Sequence, residues 1–254
     1  MGRRIIAITN QKGGVGKTTT AVNLAAQLAN TKRRVVLVDL DPQGNASSSL
    51  GVDKESLGKT LYDVLISQAG PADIVLPTNI PNLFLLPANN TLAQAEVDLV
   101  PLERREFRLR EALATVDAEV VLIDCPPALG LLTINALTAA TDVLIPVQSE
   151  YFALEGLGQL LQTIQAVKQS LNAGLEILGV VLTMFNKRMV LSEQVQAEVA
   201  QHFGNKLFKT VVPRNVRLAE APSYGRTIFE HDKWSKGARA YKALATEVSK
   251  RLFG

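Results

Sequence analysis

The sequence predicts an α/β fold in which helices cover both faces of a mostly parallel, twisted sheet. Apolar runs of strand length alternate with longer helical patterns along the 254 residues, and this alternation is typical of parallel sheets. The strand-like runs are almost continuously apolar, as expected of strands that are buried on both faces. We find no internal repeat and no linker, so we expect a single domain over residues 1–254.

Each element follows from its own pattern, taken in chain order. The predicted strands are residues 5–9, 34–39, 83–86, 120–124, 143–147, 177–183 and 207–212. The predicted helices are residues 17–30, 103–115, 130–140, 155–170, 190–203 and 241–252. Residues 45–80 are the least regular and contain many Ser, Gly and Pro. We expect loops and short helices there, over the edge of the sheet that carries the site.

The composition is that of a globular chain. Hydrophobic residues make up 47% of the sequence, which is enough for a sizeable core, and charged residues make up 20%, which is too few for a disordered chain. The net charge is only +3. A weak excess of this kind does not indicate a nucleic-acid partner, but it permits one if the basic side chains are gathered on one face.

The single cysteine, Cys125, leaves no disulfide that could form within the chain, which fits a reducing compartment. The apolar run near the N-terminus has only about five residues and leads into a glycine loop, so it is interpreted as a strand and not as a signal peptide. No stretch approaches the roughly 20 apolar residues of a membrane span. We therefore expect a cytoplasmic protein.

The strongest local signal is the segment Lys-Gly-Gly-Val-Gly-Lys-Thr-Thr at residues 12–19, which follows a predicted strand and opens a helix. That context is the one a phosphate-binding loop requires, because its backbone N–H groups and the helix N-terminus surround the anion. Lys17 is expected to reach the β- and γ-phosphates, and the Thr18 hydroxyl to ligate Mg²⁺. The predicted ATP-binding residues of the loop are Lys12, Gly13, Gly14, Val15, Gly16, Lys17, Thr18 and Thr19.

Three carboxylates follow apolar strands. Asp39 and Asp41 end the second predicted strand, where alternate residues face the same side, so both can face the phosphate loop. Asp124 ends the apolar run 120–124, which has the form of a Walker B strand, and it is expected to hold Mg²⁺ directly or through a water. The alternative for Asp39 and Asp41 is a cap on a loop or helix at a strand end, a common use of aspartate.

The loop departs from the general pattern at Gln11, which stands where the first glycine would be, and Lys12 follows it. In this form it resembles the deviant Walker A motif of the ParA/MinD family of ATPases. Further segments resemble chromosomal ParA proteins of the Soj type, so that the resemblance covers nearly the whole chain. These segments are DPQGNA at 41–46, DCPP at 124–127, PVQ at 146–148, EYFALEG at 150–156 and VPRNVRLAEAPS at 212–223.

The resemblance implies an ATP hydrolase that uses ATP and Mg²⁺ to segregate a chromosome or a plasmid. It implies a homodimer that sandwiches ATP, in which Lys12 reaches the phosphates bound by the partner subunit. It also implies that the ATP dimer binds double-stranded DNA of the nucleoid without sequence preference. A ParB-type partner would stimulate the otherwise slow hydrolysis and release the dimer from DNA.

The same resemblance assigns roles to individual residues. Asp41 would position the attacking water, and Asp39 would lie near the metal. The implied catalytic residues are Lys12, Lys17 and Asp41; the implied metal residues are Thr18, Asp39 and Asp124; the implied adenine contacts are Pro213 and Asn215; and the implied DNA contacts are Arg188 and Arg217. Apart from the resemblance, the basic residues Lys236 and Arg239 are candidates to extend the DNA surface. The alternatives are a plain strand exit at 213–215 and solvated surface charges at the basic positions.

The same scaffold allows other functions. A membrane ATPase of the MinD type ends in a short amphipathic tail, which residues 248–254 resemble. That segment continues the last predicted helix without a spacer, and the apolar face formed by Leu244, Val248 and Leu252 is expected to pack on the sheet, so no membrane partner is expected. An iron–sulfur reductase would need paired cysteines, which the sequence lacks. An amide-forming ligase with a small carboxylate substrate is not excluded by chemistry.

Overall fold

A computed structural model describes residues 2–150 and 155–254. In these ranges the chain forms one seven-stranded sheet in the order β3-β4-β2-β5-β1-β6-β7. Neighbouring strands are parallel except for the short antiparallel pair β3–β4. The strands are β1 (Arg4–Ile8), β2 (Val35–Asp39), β3 (Leu76–Pro77), β4 (Leu83–Leu86), β5 (Val120–Asp124), β6 (Asp142–Gln148) and β7 (Glu176–Thr183).

Helices cover both faces of this sheet, as predicted. They are α1 (Lys17–Ala29), α2 (Asn45–Ser49), α3 (Leu61–Leu65), α4 (Pro71–Ile74), α5 (Ala95–Asp98), α6 (Arg108–Ala114), α7 (Leu131–Ala139), α8 (Glu155–Ser170), α9 (Val190–Phe203), α10 (Val216–Glu220), α11 (Ile228–Asp232) and α12 (Lys236–Phe253). No helix in the described ranges is long and apolar enough to cross a membrane.

Two hydrophobic cores lie on opposite faces of the sheet, and the alternation along β2 shows how one strand supplies both. Val36 and Val38 join the core that α6, α7, α8 and α9 cover. Val35 and Leu37 join the core that α1 and α12 cover. Successive side chains of a strand point to opposite faces, so a continuously apolar strand fills both layers.

The segment 207–212 is not a strand, and that prediction is wrong. It makes only an isolated parallel bridge, between Val180 and Leu207, and a second bridge follows between Phe185 and Pro213. The amides of the intervening Lys209 and Thr210 donate to the Glu247 carboxylate of α12, at 2.9 and 3.1 Å, and not to a neighbouring strand. This segment has an apolar pattern but forms an extended loop, because the Glu247 side chain accepts hydrogen bonds from two of its backbone amides.

Arg251 of α12 fastens the start of that same segment. Its guanidinium donates to the carbonyls of Leu178, Lys206 and Leu207 at 2.9 to 3.0 Å and lies 3.9 Å from the centre of the Phe208 ring. The helix itself begins at Lys236, five residues before the predicted start. Its true start follows Ser235, whose hydroxyl accepts the amide of Ala238 and so caps the first turn.

Candidate active site

The carboxyl ends of β1, β2 and β5 meet at one edge of the sheet, and the phosphate loop lies there. Ile8 and Asp39 are both register partners of Asp124, so the residues that leave these three strands are neighbours. The loop between β1 and α1 passes through left-handed backbone at Gly14 (φ 74°) and Gly16 (φ 88°). Residues with a Cβ rarely adopt this conformation, which explains glycine at both positions.

Two side chains outside the motif hold the loop in place. Asn10 donates to the carbonyl of Pro146 at 2.7 Å and accepts the Lys12 amide at 3.0 Å. On the other side, the Thr183 hydroxyl donates to the Val15 carbonyl at 2.8 Å. Sequence reasoning missed Asn10 and Thr183 because their partners are up to 168 residues away along the chain. The loop is thus anchored on β6 and β7 as well as on its own flanking elements.

The side chain of Lys17 folds back over the phosphate loop. Its side chain is buried, and its ammonium donates to the Lys12 carbonyl at 3.1 Å. Burial lowers the pKa of Lys17, and the nearby carboxylates of Asp124 and Asp41 oppose that shift. A buried ammonium with only one described hydrogen bond, beside inward-facing amides, is suited to an anion with several oxygens.

Asp124 is the carboxylate best suited to a cation. It is fully buried, and in the described ranges neither of its oxygens has a hydrogen-bond partner. Burial raises its pKa well above the usual range, the charge of Asp39 adds to this, and the nearby Thr18 hydroxyl opposes it without forming a full hydrogen bond. A buried carboxylate without donors is costly unless a cation neutralises it, so Thr18 and Asp124 together fit Mg²⁺.

This donor set is small. Among the described residues no group of three or more His, Cys, Asp or Glu side chains is placed to hold a metal. Mg²⁺ commonly takes one or two protein ligands and completes its shell with water and substrate phosphates. Two oxygen donors at the phosphate loop therefore match a magnesium–nucleotide site better than a separate metal centre.

Asp39 has a different environment from Asp124. One of its oxygens accepts both the amide and the hydroxyl of Ser47 at 2.7 Å, and the other accepts the Asp41 amide at 3.4 Å. Burial raises the pKa of Asp39 to about 7, although the bonds from Ser47 lower it. The sequence grouped Asp39 with the metal residues; the structure places it beside Asp124 but engages both of its oxygens within the chain.

Asp41 lies next to this pair and is also buried. One of its oxygens accepts the amide of Gln43 at 2.9 Å, which closes the turn between β2 and α2. The backbone of Leu40 donates to the carbonyl of Asp124, so the Asp41 turn is tied directly to the end of β5. The structure thus places Lys17, Asp41 and Asp124 close together, and their roles stay predictions.

Lys12 points away from Lys17 toward the end of β6. Its ammonium lies 3.7 Å from one oxygen of Glu150, whose other oxygen lies 3.5 Å from the Arg214 guanidinium. All three side chains are well exposed. Glu150 belongs to a segment that the sequence singled out, but its position between two basic groups was not predicted; the adjoining residues 151–154 lie outside the described ranges.

A cavity of about 320 Å³ opens beside Gly16 and Thr19, next to the phosphate loop. Its other lining residues are Thr183, Met184, Val212, Pro213, Arg214, Asn215, Val216, Leu218, Ala219 and Tyr241. The predicted adenine contacts Pro213 and Asn215 are both in its wall, and the side-chain oxygen of Asn215 is buried without a described partner. An apolar cleft with a few polar groups is typical of a site for a flat, partly polar ligand.

The two predicted DNA contacts lie on neighbouring segments, because the bridge between Phe185 and Pro213 joins the loop after β7 to the loop before α10. Arg188 is exposed, and no carboxylate of the described residues forms an ion pair with it. Arg217 pairs with Glu220 at 2.9 Å and with Asp232 at 3.7 Å. Arg188 therefore presents the less neutralised charge of the two.

Comparison with known proteins agrees with this geometry. Residues 3–177 match the protein family described as AAA domain. The sporulation initiation inhibitor protein Soj of Bacillus subtilis is 55% identical over 97% of this chain and 98% of its own length. The chromosome partitioning protein ParA of Myxococcus xanthus is 52% identical over 98% of this chain and 88% of its own length.

Solved structures share the same fold. A cobyrinic acid a,c-diamide synthase from Mycobacterium smegmatis, solved with an ATP analogue and magnesium, has a TM-score of 0.85 and 41% identity, covering 96% of this chain and 93% of that one. The septum site-determining protein MinD of Pyrococcus horikoshii, solved with Mg-ADP, has a TM-score of 0.79 and 29% identity, covering 98% and 97%.

Proposed function

This chain belongs to the ParA family of partitioning ATPases, and from that premise we propose that it is an ATP-driven switch that holds and releases DNA during partition. In this proposal ATP and Mg²⁺ bind at the phosphate loop and two subunits close into a dimer. The dimer binds DNA without sequence preference on the nucleoid, in the cytoplasm. A ParB-type partner accelerates an otherwise slow hydrolysis, and the dimer opens.

One observation carries the proposal: the cavity lies beside the phosphate loop, and Lys17 of that loop is close to the buried carboxylates Asp41 and Asp124. Gly16 and Thr19 line the cavity and belong to the same loop that Lys17 covers. The nucleoside would lie in the cavity against Pro213 and Asn215, and the phosphates would lie in the loop at Gly13–Thr19. Relatives that are 55% and 52% identical over nearly the whole chain act in sporulation control and in chromosome partition, as their names say.

The residues of the loop have distinct tasks in this mechanism. Lys17 would donate to the β- and γ-phosphates, and Thr18 with Asp124 would hold the cation. Magnesium, when bound, would neutralise the negative charge that develops on the phosphates during transfer. Asp41 would orient the attacking water, because its carboxylate lies at the strand end next to the metal residues. Such positioning is the main contribution of a protein to phosphoryl transfer.

In this mechanism the formation of the dimer depends on bound nucleotide. Lys12 would leave Glu150 and reach the phosphates bound by a second copy, so that a charge needed at the phosphates comes only from the partner. Arg188 and Arg217, with Lys236 and Arg239 on α12, would then form the DNA surface. Contacts of this kind depend strongly on salt concentration. One sheet with a core on each face supports a single domain over residues 1–254.

Two other functions compete with this proposal, a membrane switch and an amide synthase. A MinD-like membrane switch would need a free amphipathic tail, but Leu244, Val248 and Leu252 are buried against the sheet. An amide synthase is supported by the Mycobacterium smegmatis structure, which at 41% identity is less similar to this chain than the partition proteins are. Product analysis with ATP and small carboxylic acids tests the second alternative, and liposome pelleting with ATP tests the first.

The test of the switch is DNA binding by Asp41→Ala with ATP and with ADP, read by gel shift beside a sizing column. We expect a dimer and a DNA complex with ATP only, because this variant should bind ATP without hydrolysing it. Lys17→Ala should show neither, and Arg188→Glu should dimerise but bind DNA at least about tenfold more weakly at moderate salt. The exposed Arg110→Glu on α6 is the matched control. An ATP dimer that ignores DNA would contradict the proposal.

A further inference from the structure

Ser47 of α2 makes a set of buried hydrogen bonds. Its amide and its hydroxyl both donate to one oxygen of Asp39 at 2.7 Å. Its hydroxyl oxygen also accepts the amide of Ala88 at 3.1 Å. Ser47, Asp39 and Ala88 are all 0% exposed, so no water competes for these groups. The Ser47 hydroxyl thus donates one hydrogen bond and accepts another.

The chain of bonds continues to the proposed catalytic carboxylate. The second oxygen of Asp39 accepts the backbone amide of Asp41 at 3.4 Å, so the position of Asp39 limits where Asp41 can lie. Linked hydrogen bonds in a buried setting strengthen one another and fix a single geometry. A connected path therefore runs from Ala88 through Ser47 and Asp39 to Asp41.

Ser47 also connects the loops that follow β2 and β4, which lie beyond the paired part of these strands. The pairing of β2 with β4 ends at Val38 and Leu86, before either loop begins. Beyond that point, Gly44 approaches the carbonyl of Ala88 so closely that an added Cβ would lie 2.7 Å from it. The Ser47–Ala88 bond thus ties the turn that carries Asp41 to the end of the neighbouring strand.

We propose that Ser47 is a positioning residue, which fixes Asp39 and, through Asp39, the backbone of Asp41. The inference rests on the proposed function, because that function gives Asp41 the task of orienting the attacking water. Ser47 itself touches neither nucleotide nor metal in this scheme. Its removal should slow hydrolysis while nucleotide binding, which depends on the loop at Gly13–Thr19, is kept.

The helix that carries Ser47 also supplies its control. Ser49 lies two residues away in α2, is also buried, and donates its hydroxyl to the Asn45 carbonyl at 2.7 Å. Ser49→Ala therefore removes the same atom from the same short helix without touching Asp39. A merely structural role of α2 would make the two alanine variants behave alike.

The experiment measures single-turnover ATP hydrolysis, affinity for a non-hydrolysable ATP analogue by calorimetry, and amide hydrogen exchange. For Ser47→Ala we expect hydrolysis to slow by about 10- to 100-fold, as for other residues that orient a ligand from behind it, with analogue affinity changed less than about threefold. Ser49→Ala should change both by less than about twofold. The Ala88 amide should exchange faster in Ser47→Ala only.

A double-variant cycle tests whether Ser47 acts through Asp39. In an Asp39→Ala background, adding Ser47→Ala should slow hydrolysis no further, since coupled residues are not additive. A full additional loss there, equal losses in the two serine variants, or unchanged hydrolysis in Ser47→Ala would each overturn the inference. If Asp39→Ala does not fold, the inference is tested by comparing Ser47→Ala with Ser49→Ala and by the hydrogen exchange of the Ala88 amide. A wild-type chain that neither binds nor hydrolyses ATP would instead remove the proposed function, and the inference with it.

Discussion

Lys12 is held within its own chain by a carboxylate that it shares with Arg214. The distances from Glu150 to the two basic groups are 3.7 and 3.5 Å, and all three side chains are well exposed. Exposed ion pairs of this kind are worth about 0.2–1 kcal/mol each. Such a pair is strong enough to give Lys12 a preferred direction and weak enough to be exchanged for nucleotide phosphates. Glu150 therefore competes with the proposed role of Lys12 in a dimer.

We expect Glu150→Gln to tighten the ATP dimer, because each subunit no longer has to break the Lys12 pair. Two pairs at about 0.2–1 kcal/mol each correspond to a roughly 2- to 30-fold lower dissociation constant. Sedimentation in the Asp41→Ala background, with ATP, measures it. Glu176→Gln, which removes an exposed partner of Lys168, is the control and should leave the dimer unchanged. A weaker dimer in Glu150→Gln would show that Glu150 serves the interface.

At the residue scale, the side chains that could be predicted from the sequence are those that belong to a local motif. The phosphate loop and Asp124 were identifiable from spacing, and the structure brings them together, although their roles stay predictions. Asn10, Ser47 and Glu150 were not identifiable, because each acts on a residue that only the folded chain brings near. Asp39 shows the limit clearly: its spacing gave its location, but its hydrogen bonds to Ser47 depend on how α2 folds back.

At the scale of single elements, the turn between β2 and α2 depends on one glycine. Gly44 has a left-handed backbone (φ 61°), and a Cβ added there would lie 2.7 Å from the Ala88 carbonyl oxygen and close to the Lys54 side chain. A Cβ here would be strained by the backbone conformation and would also crowd the carbonyl. Both effects act on the turn that carries Asp41.

Gly44→Ala should destabilise the chain by about 1–3 kcal/mol, from left-handed strain together with the contact on Ala88. Urea unfolding followed by circular dichroism gives the value. Gly58→Ala is the control, because that exposed glycine has no atom within 4 Å of an added Cβ and no positive φ. If the two variants are equally stable, the backbone of the turn can adjust to the added Cβ, and the close approach of Gly44 to Ala88 is not required.

The elements that sequence patterns missed are those decided by a partner. Residues 207–212 have the apolar pattern of a strand, yet Glu247 takes the amides in their middle. The pair β3–β4 escaped prediction because β3 is only two residues long, too short for any periodicity. The central strands and most of the long helices were predicted to within one residue, since each carries its own repeating pattern.

At the scale of the whole molecule, the last helix is part of the core. Leu244 and Val248 are 0% exposed and pack with α1 on one face of the sheet. Tyr241, in the same face, bonds to the Thr20 hydroxyl at 3.1 Å, just behind the phosphate loop. A helix buried in this way contributes to folding, and its apolar stripe is not available to another surface.

Leu244→Ala should therefore lower the free energy of unfolding by about 2–5 kcal/mol, the usual cost of a leucine-sized cavity in a core. Lys242→Ala, on the exposed side of the same helix, should change it by less than about 0.5 kcal/mol. Thermal or urea unfolding compares them. A Leu244→Ala chain as stable as the wild type would mean that α12 is detachable, which would revive a membrane-tail function.

The fold class and the family were both predicted correctly, for different reasons. Alternating strand and helix patterns suffice for a parallel sheet covered on both faces. The strand order was not predictable, because β1 lies between β5 and β6, far from its neighbours in sequence, and such pairings depend on packing across the whole chain. The family followed from extended motifs, which carry far more information than periodicity does.

Helix α12 contacts the proposed nucleotide pocket both directly and through the extended segment that precedes α10. Tyr241 lines the cavity directly, while Glu247 and Arg251 grip the extended segment that leads into Val212 and Pro213 in its wall. We therefore expect a rigid fusion joined at the far end of α12 to change nucleotide affinity, whereas a long flexible linker there should leave it unchanged.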